Sequence, residues 1–204
     1  MKNEQSFIYA LAFLAIITNA YSSKVLAESN TVWSKIKANP ETSTFAKYAH
    51  ELGLSDALDT RDLIVPWTVF VPENEAFKRL PPAIKSRIET DEIFRRSLIT
   101  SHLVLGANVS ADGIGTGNQL TTASGLLLDL IQKDQLYVKD VVVTKRDLVG
   151  SNGVIHLVEC VMYVQPSQND DRLDSQTKSA FASTACCLAD SVNDMHHISL
   201  VNKK

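Results

Sequence analysis

The spacing of apolar residues changes period along the chain, and the changes divide it into elements. Thr31 is placed to cap a short helix carrying Val32, Trp33 and Ile36, which Asn39-Pro40 ends. Phe45, Tyr48, Ala49 and Leu52 then fall at i, i+3, i+4 and i+7, one apolar helix face, with Gly53 where a C-terminal cap belongs. Ser55 can cap a further turn through Leu58. From Leu63 to Val71 the sequence LIVPWTVFV is rich in β-branched and aromatic residues and predicts a strand, interrupted near its start by Pro66 and ended by Pro72. Asn74 stands before EAFKRL as a helix N-cap. Pro81-Pro82 opens another helical region in which Ile84 and Ile88 share a face. After a break near Thr90-Asp91, Phe94, Leu98 and His102 recur every fourth residue, and Gly106 is expected to end that helix.

Ala107 to Gly117 reads as a polar, glycine-bearing loop. Beyond it come short strand candidates, LLLDLIQ, QLYVK, VVVTK and GVIHLVECVMYV, with turn signals at Ser124-Gly125, Lys133-Asp134 and Asn152-Gly153. The last is apolar on both faces except at Glu159, which predicts a strand in the middle of a covered sheet. Helices first, then one strand followed by two helices, then a run of strands, is an α+β pattern with a largely antiparallel sheet, in a wedge or sandwich, and helices on one side and edge. After Pro166 the composition turns polar, so residues 167–204 are expected to be a linker and tail.

Composition narrows the function classes. Of 204 residues, 45 % are apolar and 21 % charged, the balance of a globular protein. The net charge of -3 and the scatter of Lys and Arg argue against a nucleic-acid partner. The uncharged run FIYALAFLAIITNA, Phe7 to Ala20, is shorter than the roughly 20 apolar residues of a bilayer span. With Val25-Leu26-Ala27 behind it, residues 1–27 read as a signal peptide, leaving residues 28–166 as the domain and no membrane span after cleavage. Secretion, export to a periplasm or display at the cell surface is therefore expected. The three cysteines, Cys160, Cys186 and Cys187, define no disulfide framework. An intermolecular bridge and a link from Cys160 to the tail are both open; the plainer reading makes Cys160 a small buried hydrophobe.

No catalytic constellation emerges. There is no G-x-S-x-G elbow, and Asp112-Gly113-Ile114-Gly115-Thr116-Gly117 lacks the context of a phosphate loop. Cys186-Cys187 with His196-His197 fits no standard zinc spacing, so no metal or cofactor is expected. Asn108-Val109-Ser110 is an N-glycosylation sequon.

Two segments carry a family resemblance. Thr68-x-Phe70-x-Pro72-x-Asn74-x-Ala76-Phe77 matches the first signature of fasciclin domains at every named position. Asn152-Gly153-Val154-Ile155-His156-Leu157-Val158-Glu159 is similar to the second, with Glu159 at its acidic position. The residues themselves suggest scaffolding. Phe70 and Phe77 anchor strand and helix in one core, Pro72 and Asn74 switch between them, Asn152-Gly153 makes a tight turn with left-handed backbone, and His156 is buried and hydrogen-bonded. Many fasciclin domains carry Tyr-His near the end of the central helix in a region associated with adhesion; here the pair is Ser101-His102. The resemblance implies a non-catalytic extracellular module binding a protein or surface polysaccharide, with Ser101, His102, Asn108 and Asp112 as candidate contacts. Its alternative is a carrier of a hydrophobic ligand such as a carotenoid or lipid.

Overall fold

A computed structural model of the chain describes residues 30–61, 64–113, 118–138, 141–164 and 184–185. The expected signal peptide and most of the tail, including the His196-His197 pair, lie outside the described residues.

Among the described residues the α-helices are α1 (Val32–Ala38), α2 (Ser43–Glu51), α3 (Ser55–Asp59), α4 (Asn74–Lys78), α5 (Pro82–Thr90) and α6 (Glu92–Thr100). The main strands are β1 (Trp67–Pro72), β2 (Leu103–Leu105), β3 (Asn118–Thr121), β4 (Leu127–Gln132), β5 (Leu136–Val138), β6 (Val141–Gly150) and β7 (Gly153–Val158). The seven form one sheet in the order β2-β1-β7-β6-β5-β4-β3. Every neighbouring pair is antiparallel except β1 and β7, which run parallel in register Thr68↔Val154 and Phe70↔His156. The sheet curls, and its two ends meet where the Ala123 amide, just past β3, donates to the Leu103 carbonyl of β2 at 2.7 Å. The fold is thus α+β as the sequence predicts, with a mixed sheet nearly closed on itself.

Alternation along β1 separates two cores. Trp67, Val69 and Val71 face the helices, where they pack with Ile36, Phe45, Leu58, Ile84, Ile88 and Leu98. Phe70 faces the inside of the curl, among Leu128, Leu130, Val138, Val141 and Val158. A strand with period-2 side chains and both faces buried belongs at the centre of the layers, and β1 and β7 are buried at every position.

Local chemistry sets the helix ends. Thr31 caps α1, its hydroxyl accepting from the Ser34 amide at 3.2 Å. Gly53, at φ 70, follows α2 in the left-handed conformation that its position requires. Asp91 separates α5 from α6: one carboxylate oxygen accepts from the Phe94 amide at 3.0 Å, the other from Arg87 Nε at 3.2 Å.

Four local expectations need correction. Helix α6 ends at Thr100, and Gly106, at φ 87, lies beyond β2 instead. Glu73, not Asn74, is the N-cap of α4; Asn74 is its first residue and reaches sideways. The final apolar run breaks after Val158, and a separate short strand β8 (Tyr163–Val164) pairs with β9 (Thr184–Ala185). Cys160 is disulfide-bonded rather than a free buried thiol.

Candidate functional site

The residues of the two sequence signatures converge on the parallel pair β1 and β7. Thr68, Phe70 and His156 share the inner face, and the Phe70 and His156 rings stack at 5.4 Å and 23°. Thr68 and His156 are polar groups with no exposure in an otherwise apolar layer, so each requires a partner. Both find it in the backbone of one loop. Thr68 Oγ1 donates to the Ala107 carbonyl at 2.6 Å and accepts from the Val109 amide at 3.1 Å. His156 Nδ1 accepts from the Asp147 amide at 3.3 Å, so Nε2 carries the proton and donates to the Val109 carbonyl at 2.8 Å. Asp147, at φ 60 in an irregular stretch of β6, returns a carboxylate oxygen to the Ala111 amide at 2.8 Å.

Loop 106–113 is therefore tied from the inside at Ala107, Val109 and Ala111, while Gly106, Asn108, Ser110 and Asp112 are exposed. The loop read from the sequence is a loop in the fold, and its first half is a fixed, alternating stretch. Residues 114–117 lie outside the described residues.

Of the four candidate contacts, Asn108 and Asp112 stand on this loop and are exposed. Ser101 and His102 have no exposure at all. His102 Nε2 accepts from the Met162 amide at 2.8 Å, which leaves Nδ1 to donate to the Leu98 carbonyl at 2.9 Å. Its ring meets Phe45 edge-on at 5.9 Å. Ser101 Oγ bonds to the Leu98-side turn through the Ser97 carbonyl at 2.8 Å and to Ser124 Oγ at 2.9 Å. Burial disfavours the charged imidazole, pushing His102 down to about 4 and His156 below its ordinary value. Both rings are neutral ties.

The remaining signature residues also act inside the scaffold. Asn152 is buried and joins three elements. Its Oδ1 accepts from the Val32 amide at 2.8 Å, and its Nδ2 donates to the Leu58 and Thr60 carbonyls at 2.8 and 2.9 Å. Gly153, at φ 158 beside the β6–β7 turn, has a backbone conformation that L side chains rarely adopt, and proximity adds a second reason: a Cβ there would lie 2.2 Å from the Trp67 carbonyl oxygen. Asn74 Oδ1 accepts from the Thr44 amide at 2.9 Å, and Nδ2 donates to the Pro40 carbonyl at 2.8 Å, tying α4 to the start of α2. Phe77 is buried beside the Tyr48 ring at 5.8 Å. Pro72 closes β1 opposite Val158, and the Glu159 carbonyl accepts from Arg79. Sequence reasoning missed Asp147; a charged residue in a long strand gave no signal of a left-handed position. Among the described residues, no cluster of three or more His, Cys, Asp or Glu could hold a metal, and no helix is long and apolar enough to cross a membrane.

These ties define a class: an α+β scaffold whose buried Thr68, His102, Asn152 and His156 hold its own backbone, with one anchored loop facing outward. The fasciclin domain model matches residues 40–164, and the chain belongs to that family. Human periostin is 31 % identical over 151 residues, which cover 71 % of this chain and 17 % of periostin. Stabilin-2 of Rattus norvegicus is 28 % identical over 141 residues, 68 % of this chain and 9 % of that protein. The immunogenic protein MPB70 of Mycobacterium bovis is 26 % identical over 129 residues, 61 % of this chain and 64 % of its own length. The chain thus spans less than a fifth of periostin and of stabilin-2. Among solved structures, a FAS1 domain pair from the insect cell adhesion molecule fasciclin I superposes with TM-score 0.52 at 16 % identity. It covers 64 % of this chain and 49 % of that one.

Proposed function

We propose that the protein is a secreted, periplasmic or surface-displayed adhesion module that binds a protein or surface polysaccharide without catalysis, and that loop 106–113 is its contact surface. The observation that carries this reading is the anchorage of the loop. Three hydrogen-bonding side chains from β1, β6 and β7 hold its backbone, so that Asp112 and its exposed neighbours are presented with little conformational freedom left to lose. Family membership supports it, and the fasciclin I structure is that of a cell adhesion molecule. The carrier alternative has weaker support. Among the described residues, two of the open clefts, about 500 and about 650 Å³, are rimmed by charged side chains: Lys78, Lys85 and Glu89 at one, Arg87, Asp91 and Glu92 at the other. A ligand such as a carotenoid or lipid favours an enclosed cavity that buries most of its surface, which these two open clefts do not offer.

The test is attachment of cultured cells, and separately of immobilised polysaccharides, to surfaces coated with the full chain. Saturable binding that Asp112→Arg weakens, in a variant with unchanged thermal unfolding, is the expected result. Saturable binding untouched by Asp112→Arg and Ser110→Arg together would place the contact elsewhere and overturn the assignment of the loop.

A further inference from the structure

We infer that Asn108 is a modification site for an N-linked glycan. Asn108-Val109-Ser110 is the sole Asn-x-Ser/Thr in the 204 residues, and its middle residue is not proline. The sequence motif alone would be weak, but the fold presents it in the required way. Exposure alternates through the loop: Ala107 and Val109 are half-buried and Ala111 is buried, whereas Asn108 and Ser110 are exposed. The inward residues are those that Thr68, His156 and Asp147 tie. The acceptor amide of Asn108 and the hydroxyl of Ser110 consequently stand on one outward side of the same stretch. That pairing is what an oligosaccharyl transfer needs, because the hydroxyl two residues on is read together with the amide nitrogen.

The sugar would also be tolerated after folding. Asn108 makes no hydrogen bond to the described residues, so converting its side-chain amide to a glycosyl amide breaks no contact of the fold. In the transfer itself, the Asn108 amide nitrogen forms a bond to the anomeric carbon of a lipid-pyrophosphate-linked oligosaccharide; the lipid pyrophosphate leaves, and the amide gives up one proton. A second observation supports export of the chain from the cytosol. Cys160 is disulfide-bonded, which is the chemistry of an oxidising secretory or extracellular environment. A glycan at Asn108 would sit on the loop assigned above to a partner, yet its occupancy does not depend on that assignment.

The experiment secretes the full chain from a eukaryotic cell line and follows the peptide containing Asn108 by mass spectrometry. Treatment with peptide-N-glycosidase in ¹⁸O water should convert Asn108 to labelled aspartate and collapse a slower-migrating band to the mobility of the bare polypeptide. Asn108→Gln and Ser110→Ala should each abolish the slower band with secretion unchanged, and Ser110→Thr should retain it. A secreted chain whose Asn108 peptide is unmodified would overturn the inference, as would a glycan that persists in both Asn108→Gln and Ser110→Ala. The mass readout needs no binding partner, so its failure is separate from any failure of the adhesion reading.

Discussion

Acidification should destabilise this domain before its carboxylates protonate, and His102 is the principal cause. In the folded chain the ring is fully buried, with Phe45, the Leu98 carbonyl and the Met162 amide around it. Protonation would put a second N–H against the Met162 N–H, breaking that bond, and would place a charge where no water reaches. Burial accordingly lowers the group from 6.5 to about 4. In the unfolded chain the ring titrates near its ordinary value, so between those two points the unfolded state binds a proton that the folded state refuses. Stability is therefore fully present above about pH 6.5 and is lost as pH falls toward about 4. A difference of about 2.5 units at 1.36 kcal/mol each amounts to about 3 kcal/mol, a large share of the 5–15 kcal/mol typical of a domain. His156, shifted in the same direction by its own burial, adds to the loss in the same sense.

Urea unfolding followed through Trp33 and Trp67 fluorescence, at a series of pH values from about 7.5 to about 4.5, measures this directly. His102 alone should lower the unfolding free energy by about 2.5 kcal/mol across the series. His102→Gln keeps a donor and an acceptor but no proton to take up, so it should be weaker at neutral pH and lose much less on acidification. Glu89 offers a control. The Tyr48 hydroxyl, donating at 2.6 Å, holds its carboxyl below the ordinary 4.5, so its contribution disappears only at more acid pH. Coincident wild-type curves throughout the range would refute the reasoning, as would a His102→Gln variant with the wild-type slope.

Asn152→Ala should cost about 2–4 kcal/mol in urea unfolding, because it leaves the buried Val32 amide and the Leu58 and Thr60 carbonyls without their partner. Asn152→Asp should recover only the share owed to Val32. Gly153→Ala should abolish or severely reduce folding, by about 4 kcal/mol or more, since the new methyl meets backbone atoms of Trp67 at 2.2 and 2.8 Å that cannot move without parting β1 from β7; circular dichroism and solubility report it. Thr68→Val preserves shape but unpairs the Ala107 carbonyl and the Val109 amide, so global stability should drop by about 1–2 kcal/mol while amide exchange accelerates selectively at Val109 and Ala111.

The elements legible in the sequence are those with local causes. The Phe45/Tyr48/Ala49/Leu52 stripe, the Thr31 cap and the Gly53 stop each depend on a few neighbouring residues, and each stands where the spacing puts it. The alternation of β7 correctly marks a strand covered on both faces. What could not be read is pairing. Nothing local says that β1 runs parallel to β7, because they are adjacent in space but far apart in the chain. Gly153 illustrates the consequence: a glycine after asparagine is legible as a turn residue, but its second reason, the Trp67 backbone on the strand beside it, is not. Ser101 misleads in the opposite direction, whereas the Phe94/Leu98/His102 stripe already favours a core place for His102. A serine at a helix end resembles a surface group, and its partner Ser124, like the Met162 amide that donates to His102, comes from a distant part of the chain. The carboxylate of Asp147 and the bridge of Cys160 depend likewise on partners that no spacing reveals.

The two signatures acquire a common physical meaning from the loop they hold. Thr68 and His156 occupy the inner face of adjacent strands, where Val and Phe would bury more apolar surface and desolvate nothing polar. Their presence is offset by bonds to the Ala107 carbonyl, to both backbone groups of Val109 and to the Asp147 amide. Substituting apolar residues at both positions would pack the curl of the sheet while leaving those three loop groups unpaired, so the fold would survive and the loop would come free. Because the ties grip backbone rather than side chains, they are indifferent to what stands at Asn108, Ser110 or Asp112. A scaffold of this kind can exchange every outward residue of the loop without altering the bonds that position it, which separates the specification of the fold from the specification of the partner.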